Sequence, residues 1–211
     1  MNLEKWAILL DGATPDGVDC HSVAPDKGNG NAIEIETGIF LYGLVRRLNP
    51  KMIVETGTHW GWSTACIALA LEDQAMDYSH QAGMIETVDH IDYPQNDILW
   101  RRLGIESYIK KYVEDSLTFH PSDNINLLFL DADHGEEFII TEWINLTQYL
   151  SSIQAFVLLH DTRLDVRETK AIQKIVDQQI GPFQRYKHWT HIALRNYRGL
   201  DMFSFSNTTV I

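Results

Sequence analysis

Two short segments of this chain combine carboxylates with a histidine, which is a combination that can hold a divalent cation. The first, DADH, runs from Asp131 to His134, and the second is His160-Asp161. Carboxylate oxygens suit Mg²⁺ or Ca²⁺, while an imidazole nitrogen shifts the preference toward Mn²⁺, Fe²⁺ or Zn²⁺. Such an ion would acidify a substrate hydroxyl. The segments therefore predict a metal site, and the alternatives are that Asp131 caps a helix and that His160 is a core histidine.

A glycine-containing turn follows the apolar run Met52 to Thr56 and leads into a helical segment. Gly57 and Gly61 allow a sharp turn and a close approach of the backbone to a ligand. The spacing fits neither the dinucleotide pattern G-x-G-x-x-G nor the phosphate-binding pattern G-x-x-x-x-G-K-[ST]. Glu55 also places a negative charge where a pyrophosphate would lie. The alternative is an ordinary turn between a strand and a helix.

Further acidic residues end the next two predicted strands. Asp89 closes the segment ETVDH, and Glu114-Asp115-Ser116 follows the third strand. A carboxylate at the end of the second strand can accept hydrogen bonds from both hydroxyls of a ribose, and ligands of open α/β sheets bind outside the carboxyl ends of the strands. Each acid alone is more often a solvated strand end, but their order along the chain predicts a nucleoside-binding edge.

The elements that must position these residues alternate between short β-branched runs and helical stretches. An amphipathic helix runs from Ile33 to Leu48 and ends at Asn49-Pro50. Strands are predicted at Met52–Thr56, Met84–Asp89, Ile109–Glu114, Ile125–Asp131 and Ala155–His160, with helices near 61–73, 95–103, 136–150 and 166–179. Apolar runs such as NLLFLD and AFVLLH indicate strands buried on both faces. The predicted fold class is α/β, with a doubly wound, mostly parallel Rossmann-like sheet.

The two ends of the chain depart from this alternation. Phe183–Thr190 and Met202–Ser206 are predicted as two strands joined through His191-Ile192 and Arg198-Gly199. Without a crossover helix between them they must be antiparallel. Residues 11–31 are rich in Gly, Pro, Asp and Asn and predict a loop. We therefore expect a flexible N-terminal arm or lid over residues 1–31 and a single domain over 32–211.

Composition limits the class of protein and of partner. The 211 residues are 45% hydrophobic and 22% charged, as in an ordinary globular protein. Seventeen basic against 29 acidic residues give a net charge of -12, which disfavours nucleic acid and anionic membranes as partners. A small-molecule partner is expected instead, and the oligomeric state is left open, a homo-oligomer included.

The cysteines and the N-terminal segment give indications of the cellular compartment. Cys20 and Cys66 form no disulfide framework and have no metal-ligand spacing, which is typical of a reducing compartment. The apolar run Trp6 to Leu10 is too short for a signal peptide or a membrane span. We expect a cytoplasmic protein.

Three segments together resemble a known family. E-x-G-x-x-x-G, from Glu55 to Gly61, resembles motif I of the class I S-adenosylmethionine (SAM)-dependent methyltransferases, in which this turn wraps the amino-acid part of SAM. FLDADHGEE and VLLHDT are similar to the cation-dependent O-methyltransferases of the catechol and caffeoyl-coenzyme A type. They are closer to the bacterial branch with D-x-D-H and H-D motifs. The similarity covers about residues 32–162.

The resemblance implies a class I fold, SAM as cofactor, a divalent metal such as Mg²⁺ or Mn²⁺, and methyl transfer to a hydroxyl oxygen of a small acceptor. The implied cofactor contacts are Glu55, Gly57, Thr58, Gly61, Ser63, Asp89, Asp115, Ser116 and Asp131. The implied metal ligands are Asp131, His160 and Asp161.

The resemblance also assigns catalytic roles to Asp131 and His134. His134 stands where the family places a lysine that takes the acceptor's proton. A neutral imidazole is already abundant at pH 7 and can act as a general base. The alternative is that His134 caps the helix starting near Gly135 or faces solvent.

Three departures from the family pattern bear on these expectations. Ser151 to Gln154 replaces a Gly-Gly turn, Glu72 to Gly83 lengthens the path to the second strand, and His160 stands where plant and animal enzymes have Asp. The cofactor expectation is unaffected, while the identity of the metal is left open. Two other classes also stay open: a metal-dependent, hydrolase-like enzyme without SAM, and a non-catalytic α/β binding module.

Overall fold

The computed structural model describes residues 2–10, 33–78, 83–163, 166–194 and 198–208. Most of the predicted arm or lid at 1–31, including Cys20, lies outside these residues, so that expectation stays a prediction. None of the helices in the described part of the chain is both long and apolar enough to cross a membrane.

The predicted alternation of strands and helices is confirmed. The helices are α1 (Leu3–Leu10), α2 (Ile35–Leu48), α3 (Trp62–Tyr78), α4 (Pro94–Leu103), α5 (Glu136–Thr147) and α6 (Val166–Asp177). The strands are β1 (Met52–Thr56), β2 (Met84–Asp89), β3 (Ile109–Val113), β4 (Leu127–Leu130), β5 (Gln154–His160), β6 (His188–Leu194) and β7 (Leu200–Ser206). They form one sheet in the order β3-β2-β1-β4-β5-β7-β6. This is the mostly parallel class I methyltransferase fold, with its antiparallel strands at the C-terminus.

The C-terminal strands confirm the antiparallel prediction but correct its boundaries. β7 pairs antiparallel with both β5 and β6. Phe183 does not begin a strand, because Pro182 starts a short 3-10 helix that ends at Arg185. Proline fixes its own φ and suits the first position of such a turn. Strand β6 therefore begins only at His188.

The chain forms two compact units. The first consists of Met1–Lys51 and Thr58–Val113, and the second of Met52–Gly57 and Glu114–Ile211. The first unit contains a helix that the sequence did not predict, α1. Trp6 and Leu9 of α1 are buried.

The second unit holds β1, β4 to β7, α5 and α6. All four residues of β4 are buried, which is typical of a strand covered on both faces. Trp143 of α5 is fully buried and makes an edge contact with Phe203 of β7, at 5.1 Å between ring centroids. These contacts fix α5 against the sheet, so that the loop from β4 to α5 lies beside the end of β5.

Candidate functional site

The predicted metal ligands meet at the carboxyl ends of two neighbouring parallel strands, β4 and β5. Nδ1 of His160 lies 2.9 Å from Oδ1 of Asp131 and 3.2 Å from Oδ1 of Asp161. One donor atom from each residue lies within 4.8 Å of the others. His160 and Asp131 can share the imidazole proton in a hydrogen bond, or the three residues can hold a cation in its place, since metal binding releases protons from its ligands.

Asp161 has an unusual environment for a carboxylate. Its backbone φ is +59°, a left-handed conformation that is uncommon outside glycine and often marks functional sites. Oδ2 accepts a hydrogen bond from Arg198, whereas the buried Oδ1 accepts none from the described residues. Burial raises the pKa of Asp161; among its charged neighbours Asp131 also raises it, and His160 lowers it. A cation beside Oδ1 would relieve this unfavourable burial.

His134 lies beside the metal cluster and is 39% exposed. Its Nε2 lies 3.5 Å from Oδ2 of Asp161, and its Nδ1 lies 3.3 Å from Oε1 of Glu168. The helix that follows has Gly135 at its N-cap with no side-chain cap, so the alternative role of His134 as a capping residue is not observed. His134 instead faces carboxylates of the predicted site.

The segment Asp131 to His134 and His160 at the end of β5 border a small cavity in the second unit. Its walls combine apolar residues such as Leu130 and Ile172 with polar ones. The polar lining includes Asp131, His134, Glu142, His160, Thr162 and Glu168. Oγ1 of Thr162 is buried with no hydrogen-bond partner in the described part of the chain. The cavity is therefore polar where the predicted ligands and the predicted base lie.

Two glutamates of this cavity, Glu142 and Glu168, were not predicted from the sequence. Both are almost fully buried, at 1% and 2% exposure. Each occupies a core-facing position of its helix, beside Trp143 on α5 and ahead of Ala171 and Ile172 on α6. A carboxylate on the apolar face of an amphipathic helix is the sequence signal that could have identified them.

Burial raises the pKa of Glu142 from 4.5 to about 7. Hydrogen bonds with Ser116 and Thr56 favour the charged form and oppose this rise. The second carboxyl oxygen, Oε1, has no hydrogen-bond partner among the described residues. Glu142 is therefore a buried carboxyl that titrates near neutral pH.

Stability is expected to depend on pH through Glu142. Between pH 4.5 and about 7 the folded protein keeps this proton and the unfolded chain releases it, so the free energy of unfolding falls as pH rises. The change is on the order of 3 kcal/mol. The Glu142→Gln variant cannot titrate there and should gain stability relative to the wild type as pH rises through this window. Urea denaturation at several pH values measures this difference.

The half-exposed Glu136 of the same helix provides a matched control, since Glu136→Gln should show a much flatter difference from the wild type. A Glu142→Gln difference that is constant from about pH 5 to 8 would contradict the raised pKa.

The glycine turn has the predicted sharp geometry. Gly57 has φ +81° and Gly61 has φ +74°, both in the left-handed region. A Cβ on Gly57 would lie 2.1 Å from the backbone oxygen of Asp131, and one on Gly61 would lie 2.6 Å from the Trp100 ring. Glycine is therefore required at both positions by close protein contacts, whether or not a ligand approaches.

Asp89 is the last residue of β2, as predicted, and forms a hydrogen bond with the turn that precedes α3. Its Oδ2 accepts a hydrogen bond from the backbone N–H of His59 at 2.9 Å, and its Oδ1 accepts one from Ile91 at 3.0 Å. The hydroxyl of Thr58 pairs with that of Thr87 on β2 at 2.7 Å. Each oxygen of Asp89 retains a lone pair for a further donor.

The remaining predicted cofactor contacts differ in exposure. Glu55 is fully buried in β1, and Ser63 is buried near the start of α3. Asp115 is exposed and its Oδ1 accepts the backbone N–H of Leu117. Ser116 is buried and hydrogen-bonded to Glu142. Their roles as cofactor contacts stay predictions.

The fold is that of the class I methyltransferases, and comparison with protein families agrees with this class. Residues 54–162, more than half of the chain, match a family described as a methyltransferase domain. The chain belongs to this methyltransferase family. The matched range includes the glycine turn and all three candidate metal ligands.

Solved structures of methyltransferases share the fold at low sequence identity. An O-methyltransferase from Bacillus cereus in complex with SAH is 16% identical, with a TM-score of 0.67 over 98% of this chain and 92% of that one. An SAH-bound methyltransferase from Podospora anserina is 14% identical, with a TM-score of 0.65 over 97% and 87%. A Streptomyces achromogenes O-methyltransferase of tomaymycin synthesis, in complex with SAM, is 16% identical, with a TM-score of 0.63 over 84% and 83%. A search of curated proteins found no match.

Proposed function

We propose that this protein transfers a methyl group from SAM to a hydroxyl oxygen of a small molecule, with the help of a divalent metal ion. The observation that carries the proposal is the family match, which runs from β1 through Thr162 and so includes the whole acidic cluster. The similar structures that contain SAM or SAH support the choice of cofactor. The net charge of -12 supports a small acceptor over nucleic acid.

The residues of the chain fit SAM at the ends of the strands. Asp89 is nearly buried, and both of its oxygens can accept a further hydrogen bond, so it suits the two ribose hydroxyls. We assign Gly57, Thr58, Gly61 and Ser63 to the turn that follows the cofactor. Glu55, Asp115, Ser116 and Asp131 complete the proposed contacts. SAM supplies an activated methyl group, and these residues would orient it toward the acceptor oxygen, which is a major source of rate enhancement.

The residues at the ends of β4 and β5 fit a divalent cation. Asp131, His160 and Asp161 offer two carboxylate oxygens and one imidazole nitrogen, and the buried Oδ1 of Asp161 lacks a hydrogen-bond donor in the described structure. The two carboxylate oxygens suit Mg²⁺ or Mn²⁺, and the imidazole nitrogen favours Mn²⁺ of these two. When bound, the ion would polarise the acceptor hydroxyl and lower its pKa. Arg198 would hold the other oxygen of Asp161 and so fix the orientation of the carboxylate.

His134 is the proposed general base. It borders the same cavity as Asp131 and His160, and it is partly exposed, so an acceptor can reach it. Proton removal from the hydroxyl as the methyl group arrives would leave a neutral ether product. Asp131 is the proposed catalytic partner because it would hold the ion beside that hydroxyl.

A methyl-transfer screen tests the proposal. Purified protein with labelled SAM and Mg²⁺ or Mn²⁺ is incubated with catechols, sugars and polyketides, and methylated products are sought by mass spectrometry. Methylation on oxygen of at least one acceptor is expected. Product formation on nitrogen, sulfur or carbon alone would contradict the proposed acceptor atom.

The Asp89→Ala variant is expected to bind SAM more weakly by about 1.5 to 3 kcal/mol, or roughly 10- to 150-fold in Kd, because hydrogen bonds to a charged group are lost. Titration calorimetry measures the affinity. Asp92→Ala is the matched control, since Asp92 lies in the loop that follows Asp89 and bonds Lys111 on the protein surface. Unchanged SAM affinity in Asp89→Ala would contradict the assignment of Asp89 to the ribose.

A further inference from the structure

The side chain of Glu168 is placed in the cavity by α6, away from the motifs of the family. It is 2% exposed and lines the same cavity as His134 and His160. Its oxygen Oε1 lies 3.3 Å from Nδ1 of His134, within the distance at which a donor and an acceptor interact. Catalytic hydrogen bonds are often this long before a substrate binds.

The neutral ring of His134 carries only one N–H, and its two nitrogens face different carboxylates. Nδ1 faces Glu168 at 3.3 Å, while Nε2 faces Asp161 at 3.5 Å. The nitrogen that keeps the proton is set by the stronger hydrogen-bond acceptor. Oδ2 of Asp161 accepts a hydrogen bond from the cationic Arg198, which draws its negative charge away from Nε2 of His134. Glu168 is also the closer carboxylate, so it should hold the proton at Nδ1.

We propose that Glu168 is a positioning residue for His134: its carboxylate accepts a hydrogen bond from Nδ1–H, fixes that tautomer, and leaves the lone pair of Nε2 at the cavity. This inference rests on the proposed function for its catalytic meaning, because a base must present a free lone pair to the acceptor's proton. The tautomer itself does not depend on that function. The arrangement is comparable to the Ser-His-Asp triad, in which a carboxylate fixes the tautomer and orientation of the catalytic histidine.

The tautomer can be measured directly. Protein labelled with ¹⁵N is studied by NMR at about pH 8, and the His134 signals are assigned from their loss in His134→Ala. We expect the wild type to carry its proton on Nδ1 and Glu168→Ala to shift the population toward Nε2–H. Glu168→Gln should keep the wild-type tautomer, because the amide oxygen can accept the same hydrogen bond. Glu136→Ala is the control for a carboxylate that joins α5 to α6 through Lys174, outside the cavity.

Kinetics separate positioning from a structural role. Glu168→Ala should lower kcat roughly tenfold or more while the KM for SAM stays within about twofold, and Glu168→Gln should recover most of the loss. Glu136→Ala should leave kcat unchanged. Equal thermal unfolding temperatures of the two Glu168 variants would show that the difference between them is not a folding defect.

The outcomes distinguish this inference from the proposed function. Nε2–H in the wild type, or an unchanged tautomer in Glu168→Ala, would overturn the role of Glu168 whatever the activity. A tautomer that changes in Glu168→Ala while kcat does not would support the contact with Glu168 and contradict His134 as the base.

Discussion

Replacing His134 with alanine is expected to lower kcat by a factor on the order of 10² to 10⁴, because that is the usual contribution of a general base. The affinity for SAM should be unchanged, since His134 is assigned to the acceptor's proton and not to the cofactor. The loss reflects geometry as well as chemistry: the imidazole faces the cavity beside Asp161 and Glu168, where an acceptor hydroxyl near the ion would lie. Steady-state kinetics with an acceptor found by the screen measure the effect.

The control for this variant is His188→Ala, because His188 is an exposed histidine on β6 and lies outside the cavity lining. It should retain wild-type kcat. If His134→Ala loses less than tenfold, His134 is a bystander and the metal ion alone activates the hydroxyl.

Removal of divalent metal is expected to abolish methyl transfer. Dialysis against EDTA should reduce activity to background, and Mg²⁺ or Mn²⁺ should restore it, because the acceptor hydroxyl needs a Lewis acid to lose its proton at neutral pH. Mn²⁺ binding, followed by electron paramagnetic resonance, should weaken on the order of 100-fold or more in Asp131→Asn. Mutation of residues that only support the metal ligands already lowers metal affinity or activity about 10- to 100-fold.

Asp133→Asn is the matched control for the metal experiment. Asp133 lies two residues from Asp131 in the same loop, and its Oδ1 accepts the backbone N–H of Gly135. It is not one of the three residues whose donor atoms cluster. It should bind Mn²⁺ as the wild type does. Full activity in EDTA would contradict the metal role and leave Asp131, His160 and Asp161 as direct contacts to the substrate.

Local sequence patterns predicted most of the fold because they fix which face of each element is buried. The bounds of β1 and β2 agree with the prediction, since both runs are bordered by polar or turn residues. Helix α1 was missed because its apolar run is short, and its stability comes from distant contacts such as the hydrogen bond from Trp62 to the Leu9 carbonyl. The start of β6 was misplaced because Phe183 is apolar but belongs to a turn set by Pro182.

The candidate metal site was predictable because its residues lie at the ends of strands. Asp131, His160 and Asp161 follow strands that the sequence identifies, and parallel pairing of β4 with β5 brings them together. Glu168 reaches His134 from α6, and Arg198 reaches Asp161 from the turn before β7, over sequence separations that no local pattern encodes. The sequence predicted an ion and a base there, but not which side chains would orient them.

Calorimetric titration of the purified wild-type protein with S-adenosylhomocysteine tests the central claim most directly, because it requires no acceptor. The account predicts saturable binding, weakened in Asp89→Ala and retained in Asp92→Ala and His134→Ala. The absence of detectable binding to the wild type, with or without Mg²⁺ or Mn²⁺, would contradict SAM-dependent methyl transfer by this chain.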